Sequence, residues 1–255
     1  MTIINLSVIV VALNCEKQIV KTLHSINTQS YRNKIEVIVV DGKSEDNTLE
    51  EARSFEPDIL ISEKDLGIYD AMNKGVLVAT GRYCIFINAG DLLATKDIIE
   101  NIFSLLSKGE HDLIFGNHIV NFEDNILLPV FSWPYRTHVG MPFSHQAAIY
   151  RRSKLLEYPF NIKFRLAADY HQLLRMIKDN ITPFYVNQFF AIIDSGGVSD
   201  KNRLEVIDEW IKISGFQLPY VKFILNFFLK RLMEYTLPSK IYKSLITKYR
   251  IKSHE

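Results

Sequence analysis

The sequence predicts an α/β protein with a mixed, mainly parallel sheet flanked by helices and a C-terminal helical tail. Short runs rich in Val and Ile alternate along the chain with segments of helical periodicity. These apolar runs end in polar residues, as buried strands do at the carboxyl edge of a parallel sheet. At 255 residues, 47% of them hydrophobic, the chain suits one domain at 1–200 with a helical extension at 201–255.

The first half of the chain reads as alternating strands and helices. A strand over 6–12, a helix over 16–27 and a strand over 36–40 form a βαβ unit, because the middle segment has helical spacing through Ile19, Leu23 and Ile26. Ser44 is expected as the N-cap of the next helix. The elements that follow are a helix over 44–55, a strand over 58–61, a helix over 67–79 and a strand over 83–87.

The second half is less regular. A helix over 96–106 and a strand over 112–115 precede β-like pieces over 119–131. Residues 132–150 mix Pro, Gly, His and aromatic residues, which indicates loops that feed a strand over 146–150. The chain then predicts a helix over 166–178, a strand over 184–192, a flexible SGGVS segment at 195–199 and a helix over 201–214.

The net charge and the cysteine positions argue against several classes of protein. A formal net charge of +1 argues against a nucleic-acid partner, which usually requires a strongly basic domain. Cys15 and Cys84 lie far apart and lack the spacing of a disulfide scaffold or a zinc site. The apolar start lacks a basic segment and a cleavage site, and reads as a buried strand. We therefore expect a cytoplasmic protein.

The composition changes from Pro219 onward. Aromatic and aliphatic residues are interleaved there with eight Lys and Arg residues, and acidic residues are few. A basic helix with an apolar face suits an anionic membrane surface, where each nearby Lys or Arg contributes about 1 kcal/mol. The tail therefore predicts peripheral attachment to the inner face of the cell membrane; the alternative is a helix packed on the main domain.

Residues 62–91, SEKDLGIYDAMNKGVLVATGRYCIFINAGD, carry the densest chemical signal. A helix and then an apolar strand lead to Asn88 and Asp91, which are expected at the carboxyl edge of the sheet, where ligands bind in open α/β folds. A buried carboxylate without a partner costs several kcal/mol. Asp91 therefore requires water, a hydrogen-bond donor or a metal ion.

Five segments occur in the order typical of one family: LSVIVVALN (6–14), VIVVDGKSEDNT (37–48), DLGIYDAMNKG (65–75), FINAGD (86–91) and AADYHQLLRM (167–176). With them the chain resembles the family 2 glycosyltransferases of the GT-A fold over about residues 5 to 200. It is most similar to short bacterial members that build O-antigen of lipopolysaccharide, capsule and other exopolysaccharides.

The resemblance implies a UDP-sugar site at the strand ends. Ala12, Asn14 and Asp41 match positions that meet the uridine base and ribose, and Asp70 and Asn73 share the helix face at the nucleotide. Alternatives stay open for both groups. Asp41 precedes Gly42 and suits a tight turn, and the helix face could simply be solvated.

The resemblance also implies a divalent cation, Mn²⁺ or Mg²⁺. Most relatives carry Asp-X-Asp after the fourth strand, whereas this chain has Asn88, Ala89, Gly90 and Asp91. Asp91 is assigned to the metal and Asn88 to ribose or phosphate, because one carboxylate can share the cation with diphosphate oxygens and water. His145 in PFSHQ is a further candidate metal ligand; the alternative is a hydrogen-bonded structural histidine.

Asp169 matches the general base of the family, with a favourable helix N-terminal charge as the alternative role. The implied reaction is an inverting transfer of a hexose, of glucose or galactose type, from UDP to a polyprenyl-diphosphate-linked saccharide, giving a β-linkage.

The sequence bears on two rival functions. A nucleotidyltransferase would require a Gly-rich basic loop after the first strand, which VALNCEKQ lacks. An inactive module that binds a sugar nucleotide or glycan remains open, because Asn88 and Gly90 depart from the acidic motif. The joint presence of Asp91 and Asp169 argues against it.

Overall fold

The computed structural model describes residues 5–106, 109–122, 126–132 and 140–215, together with residues 221, 224, 225, 228 and 229. These parts of the chain contain nine strands and eight α-helices. The strands are β1 (Leu6–Ala12), β2 (Ile35–Asp41), β3 (Ile59–Ser62), β4 (Tyr83–Phe86), β5 (Leu92–Leu93), β6 (Leu113–Phe122), β7 (Ile126–Val130), β8 (Ala148–Arg151) and β9 (Pro183–Asp194). The helices are α1 (Glu16–Asn27), α2 (Thr48–Ser54), α3 (Ile68–Val78), α4 (Ile98–Leu105), α5 (Arg152–Glu157), α6 (Ala168–Lys178), α7 (Val198–Lys201) and α8 (Arg203–Ser214).

All nine described strands join one mixed sheet. The order is β3-β2-β1-β4-β8-β6-β9-β5, and β7 pairs with β6 outside that path. The first four strands are parallel to one another, whereas β8 is antiparallel to both of its neighbours, β4 and β6. Since helices cover the sheet as the sequence predicted, the α/β class with a mixed sheet is confirmed.

β1 is buried on both faces of the sheet. Val8 and Val10 pack with α1 and α4 on one face, while Ile9 and Val11 pack with α3 on the other. Every residue of β1 is buried, which explains why the run LSVIVVA shows no alternation of polar and apolar residues. Each fully buried aliphatic side chain of this kind stabilises the fold by about 1.5 to 3 kcal/mol.

The helix predicted over 44–55 is shorter in the structure, and Ser44 is not its N-cap. α2 begins at Thr48, with Asn47 in the N-cap position. The side chain and backbone N–H of Ser44 both donate to the Asp41 carboxylate, and Asp46 accepts from the backbone and hydroxyl of Thr48. These local hydrogen bonds hold residues 42–47 in a loop instead of a helical turn.

Other element bounds also differ from the predictions. β6 continues to Phe122, beyond the predicted end of its strand, and pairs with β7 as a hairpin and with β9 in parallel. The two-residue strand β5, which pairs with the last part of β9, was not predicted because two residues are too few to show a period.

α8 packs against α6 at the C-terminal side of the domain. Tyr170 of α6 is buried with Val206, Ile207 and Trp210 of α8. The Glu209 carboxylate also accepts backbone hydrogen bonds at 2.8–2.9 Å from residues 165, 166 and 167, directly before α6. The first part of the predicted extension is therefore packed into the same unit as α6.

The basic tail predicted from residue 219 lies outside the described residues, apart from the five positions given above. At those positions Ile224 packs with the Trp210 cluster, whereas four apolar side chains are exposed: Val221, Leu225, Phe228 and Leu229. In the described parts of the chain, no helix has both the length and the apolar character needed to cross a bilayer.

Gly75 sets how closely α3 approaches β1. A Cβ atom at this position would lie 2.5 Å from Cγ2 of Ile9. We expect Gly75→Ala to lower the free energy of unfolding by about 1 to 2 kcal/mol, because the overpacking outweighs the helix propensity that alanine gains. Urea denaturation measures the change. In the background of Ile9→Ala, which removes Cγ2, the same substitution should be neutral or stabilising; equal losses in both backgrounds would contradict this account.

Candidate active site

The strand ends bring three distant segments together. Asn88 follows β4, and His145 precedes β8 in a 3-10 turn at His145–Ala147. Because β4 and β8 are antiparallel neighbours, the end of one lies beside the start of the other. Asp169 reaches the same place from the first turn of α6. These three residues were all predicted as site residues, and the structure puts them in contact.

Asp169 is a nearly buried carboxylate held on one oxygen. Its Oδ1 accepts a hydrogen bond of 3.0 Å from the hydroxyl of Tyr69 and one of 2.8 Å from the backbone N–H of Tyr170. The side chain is 12% exposed. Burial, followed by the charge of Asp169, raises the pKa of Tyr69 well above its usual value. The phenol therefore stays protonated, and its hydroxyl donates a hydrogen bond to Asp169.

His145 bridges Asp169 and Asn88. Its Nδ1 lies 3.5 Å from Oδ2 of Asp169, and its Nε2 lies 3.1 Å from the amide Nδ2 of Asn88. The imidazole is 16% exposed. Oδ1 of Asn88 is buried and has no hydrogen-bond partner among the residues that the structure describes. A ligand donor or a cation at this oxygen would satisfy it.

Asp91 lies beside this group but is more deeply buried, with 6% of the residue exposed. Its Oδ2 accepts a hydrogen bond of 2.7 Å from Nε2 of Gln146, the neighbour of His145. Burial raises the pKa of Asp91 to about 6, although the hydrogen bond from Gln146 and the proximity of His145 act in the opposite direction. A cation at the carboxylate would favour its charged form.

The loop that carries Asp91 is tied to α1. The hydroxyl of Thr22 accepts from the backbone N–H of Gly90 at 2.9 Å and donates to the carbonyl of Asp91 at 2.8 Å. Gly90 has a φ of 111°, a conformation that side chains with a Cβ rarely adopt. The glycine at the place of a family acidic residue thus has a structural reason, since it shapes the turn before Asp91.

Ala12, Asn14 and Asp41 come together at the ends of β1 and β2. Ala12 pairs with Asp41 in the parallel register. The side-chain oxygen of Asn14 accepts a hydrogen bond from the backbone N–H of Glu45. The backbone N–H of Asn14 donates to the hydroxyl of Ser44. Asp41 is fully buried and accepts from Ser44 and, at 2.7 Å, from the hydroxyl of Ser62. These hydrogen bonds agree with the turn alternative, and a contact of Asp41 with the nucleotide stays a prediction.

Asp70 and Asn73 lie on α3 but serve different contacts. Asp70 accepts from the backbone N–H of Leu66 at 3.0 Å and pairs with Lys74 at 3.4 Å. Both amide atoms of Asn73 are engaged by the backbone of Phe160, at 2.9 and 3.0 Å. Asn73 therefore fastens α3 to the loop before α6. Its role toward a nucleotide remains a prediction.

Tyr69, Gln146 and Glu209 were not predicted as site residues. Tyr69 falls in the quoted segment DLGIYDAMNKG, but a tyrosine beside apolar residues on a helix usually marks core packing. Gln146 directly follows His145, and only the three-dimensional structure joins it to Asp91. Glu209 is one acidic residue on a helix rich in charge, so no pattern in the sequence distinguishes it.

The residues present fit a divalent cation in part. Within the described ranges, no three His, Cys, Asp or Glu side chains form a preformed metal cluster. Two oxygen groups at the site suit a cation: the carboxylate of Asp91 and Oδ1 of Asn88, which is buried and has no hydrogen-bond partner among the described residues. Hard cations such as Mg²⁺ and Mn²⁺ bind such oxygens and complete their coordination shells with phosphate oxygens and water.

The chain is similar to known glycosyltransferases. The family model described as "Glycosyl transferase family 2" matches residues 7–195. The chain is 30% identical over 211 residues to the PGL/p-HBAD biosynthesis glycosyltransferase of Mycobacterium bovis (strain BCG / Pasteur 1173P2), covering 76% of this chain and 78% of that protein. It is 33% identical over 138 residues to the amylovoran biosynthesis glycosyltransferase AmsB of Erwinia amylovora, covering 50% of this chain and 45% of AmsB.

Solved structures share the fold. TarS 1-349 of S. aureus in complex with UDP superimposes with a TM-score of 0.64 at 19% identity, over 91% of this chain and 72% of that one. This chain spans only 43% of the longer TarS structure. Glucosyl-3-phosphoglycerate synthase of Mycobacterium tuberculosis, solved with Mn²⁺, UDP and phosphoglyceric acid, gives a TM-score of 0.60 at 17% identity, over 84% of this chain and 79% of that one.

The burial of Asp91 predicts a pH-dependent cost to stability in metal-free buffer. Because the pKa of Asp91 in the folded protein, about 6, exceeds the ordinary aspartate pKa of 3.8, the charged form costs about 3 kcal/mol at neutral pH. This cost disappears as the pH falls through 6 toward 4. We expect Asp91→Asn to raise the free energy of unfolding by about 1 to 3 kcal/mol at pH 8, and by less at pH 4.5.

Urea denaturation of both proteins in EDTA across this pH range measures the effect. The control is Asp208→Asn, which removes an exposed carboxylate from α8. A difference between Asp91→Asn and the parent chain that does not change with pH would contradict the raised pKa.

Proposed function

The chain belongs to glycosyl transferase family 2, and from that premise we propose that this glycosyltransferase moves a hexose from a UDP-sugar to a lipid-diphosphate-linked saccharide. The observation that carries the proposal is the carboxylate of Asp169, which Tyr69 orients and His145 links to Asn88 at the strand ends. A restrained carboxylate beside a nucleotide site is what an inverting transferase requires as its base. The resemblance to bacterial enzymes that build surface polysaccharides suggests a lipid-diphosphate-linked saccharide as the acceptor.

In the proposed reaction Asp169 removes the proton of an acceptor hydroxyl. The hydroxyl oxygen then forms a bond to the anomeric carbon of the sugar, and the bond from that carbon to the diphosphate oxygen breaks. UDP departs with the electron pair, and the proton remains on Asp169 until solvent removes it. One displacement inverts the anomeric centre, so an α-linked donor gives a β-linked product without a covalent glycosyl-enzyme intermediate.

Oδ2 of Asp169 is the oxygen assigned to the proton. Oδ1 already accepts two hydrogen bonds, from Tyr69 and from the backbone of Tyr170. Among the residues that the structure describes, the polar partner of Oδ2 is Nδ1 of His145, at 3.5 Å. A carboxylate oxygen can accept more than one hydrogen bond, so room remains on Oδ2 for the acceptor hydroxyl.

We place the donor at the ends of β1, β2 and β4. Ala12, Asn14 and Asp41 would form the side toward the uridine, and Asn88 the side toward ribose or phosphate. The solved structures of TarS and of the glucosyl-3-phosphoglycerate synthase that hold UDP support a uridine nucleotide. Asp70 and Asn73 are assigned to this site only through α3, since their present contacts are structural.

We further propose that Asp91 and Oδ1 of Asn88 hold a divalent cation, Mn²⁺ or Mg²⁺. A bound cation would neutralise the charge that develops on the leaving diphosphate. The similar synthase from Mycobacterium tuberculosis was solved with Mn²⁺. The buried carboxylate and the unpartnered amide oxygen support the same assignment in this chain.

The lipid-linked acceptor is supported by the C-terminal tail. Val221, Leu225 and Leu229 follow one another at four-residue intervals, and all three side chains are exposed. Phe228 lies next to them and is also exposed. The surrounding sequence carries Lys222, Lys230 and Arg231, together with five further basic residues up to residue 252. We propose that this surface attaches the enzyme to the cytoplasmic face of the membrane, where its acceptor resides.

The second candidate is an inactive module that binds a sugar nucleotide or a glycan. The replacement of the usual acidic residues by Asn88 and Gly90 favours it. Both candidates predict that the chain binds UDP. Only the transferase predicts release of UDP from a sugar nucleotide, so turnover separates them.

Replacing the base should lower turnover without loss of UDP binding. We expect Asp169→Asn to lower kcat by about 10² to 10⁴ with little change in UDP affinity, because a positioned base contributes about that factor. The assay measures UDP release from a panel of UDP-hexoses with Mn²⁺ or Mg²⁺ and a polyprenyl-diphosphate sugar, and calorimetry measures UDP binding. Asp208→Asn is the control. Turnover that survives in Asp169→Asn would refute the assignment of the base.

Attachment to membranes should depend on the exposed apolar side chains of the tail. We expect the double variant Leu225→Glu, Phe228→Glu to sediment with phosphatidylglycerol vesicles at least about tenfold less than the parent chain, since it loses apolar burial and gains repulsive charge. Leu77→Glu, at an exposed leucine of α3, is the matched control. Equal sedimentation of the double variant and the control would show that this surface is not the anchor.

A further inference from the structure

We infer that His145 is a positioning residue that orients the carboxylate of Asp169, an inference that rests on the proposed transferase function. The two ring nitrogens face two different partners. Nδ1 lies 3.5 Å from Oδ2 of Asp169, and Nε2 lies 3.1 Å from Nδ2 of Asn88. The imidazole thus connects the end of β4 to the first turn of α6.

The partner at Nε2 determines the tautomer of the ring. The side-chain nitrogen of Asn88 is a donor only, so Nε2 of His145 must accept with its lone pair. In the neutral imidazole the proton then resides on Nδ1, which faces Asp169. Asn88 therefore selects the tautomer in which the Nδ1–H of His145 faces the carboxylate. The arrangement is analogous to the groups that orient a histidine from its far side in metal and catalytic sites.

This donor complements the groups that hold the other oxygen of Asp169. Tyr69 and the backbone of Tyr170 restrain Oδ1. A second restraint on Oδ2 fixes the rotation of the carboxylate plane, which a single restrained oxygen leaves free. The lone pair of Oδ2 that His145 does not use is then aimed in one direction. Displacement of a catalytic group by about 1 Å can lower the rate by about 10².

The same geometry argues against His145 as a ligand of the cation. A metal requires the lone pair of a ring nitrogen. Nε2 uses its lone pair toward Asn88, and Nδ1 carries the proton that faces Asp169. Neither nitrogen offers a free lone pair while both contacts are present. The predicted metal role of His145 and the positioning role are therefore distinguishable by experiment.

Two amide substitutions separate the roles of the two ring nitrogens. In His145→Asn, the side-chain nitrogen can occupy the place of Nδ1 and still donate to Asp169. In His145→Gln, the longer side chain carries its amide toward the place of Nε2. We expect His145→Ala and His145→Gln to lower kcat by about 10- to 100-fold with the donor KM unchanged, and His145→Asn to retain kcat within about fivefold of the parent enzyme.

The experiment measures kcat, the donor KM and the Mn²⁺ concentration for half-maximal activity, for the full chain and its variants. Calorimetry of UDP binding in the presence of Mn²⁺ is a readout that does not depend on turnover. His24→Asn, at an exposed histidine of α1, is the control. Rescue by asparagine, with an unchanged Mn²⁺ requirement and unchanged UDP binding, supports the positioning role.

Three results would overturn the inference. They are full activity of His145→Ala, equal impairment of the asparagine and glutamine variants, and a raised Mn²⁺ requirement in all three variants. If His145→Ala fails to fold, the comparison of His145→Asn with His145→Gln still tests whether His145 positions Asp169. A parent enzyme that releases no UDP from any donor would instead refute the proposed function, so the two failures are distinct.

Discussion

The antiparallel pairing of β4 with β8 is the constraint on which the site depends. β4 continues the parallel order of β3, β2 and β1, so its carboxyl end lies with theirs. β8 runs the other way, and its start therefore lies at that same edge. Asn88 and His145, 57 positions apart in sequence, meet for this reason alone. A parallel strand in the place of β8 would carry His145 to the opposite edge.

The acidic motif of this chain retains one carboxylate where most relatives are expected to have more. The remaining Asp91 is buried and held by Gln146, and the turn before it requires a glycine at position 90. The amide of Asn88 contributes to the site in another way, since it engages His145 and leaves one oxygen for a ligand. The departure from the family pattern thus coincides with a chain of contacts that links Asn88 through His145 to Asp169.

Much of the fold could be predicted from the sequence, because β1 is a continuous apolar run and α1 and α6 have apolar residues at helical spacing. The predicted bounds of β1 and α1 agree with the structure at both ends. The start of α2 could not be predicted, since Ser44 is a good N-cap by type and only the buried carboxylate of Asp41 draws its hydroxyl away. The prediction that Asn88 and Asp91 follow an apolar strand agrees with their position after β4, while their roles toward a ligand stay predictions. The bonds of Asn73 to Phe160 and of Gln146 to Asp91 depend on tertiary contacts, which no local pattern encodes.

Glu209 couples the local unfolding of α8 to that of the residues before α6. Its carboxylate binds three successive amides before α6, and the apolar cluster around Trp210 joins the same two helices. Local unfolding of α8 would release those amides and remove the cover from Tyr170 in one event. Helix α8 and the loop before α6 therefore form one cooperative unit in the sense of hydrogen exchange. The opening rate of α8, a helix without a predicted site residue, therefore limits how long the start of α6 holds Asp169 in place.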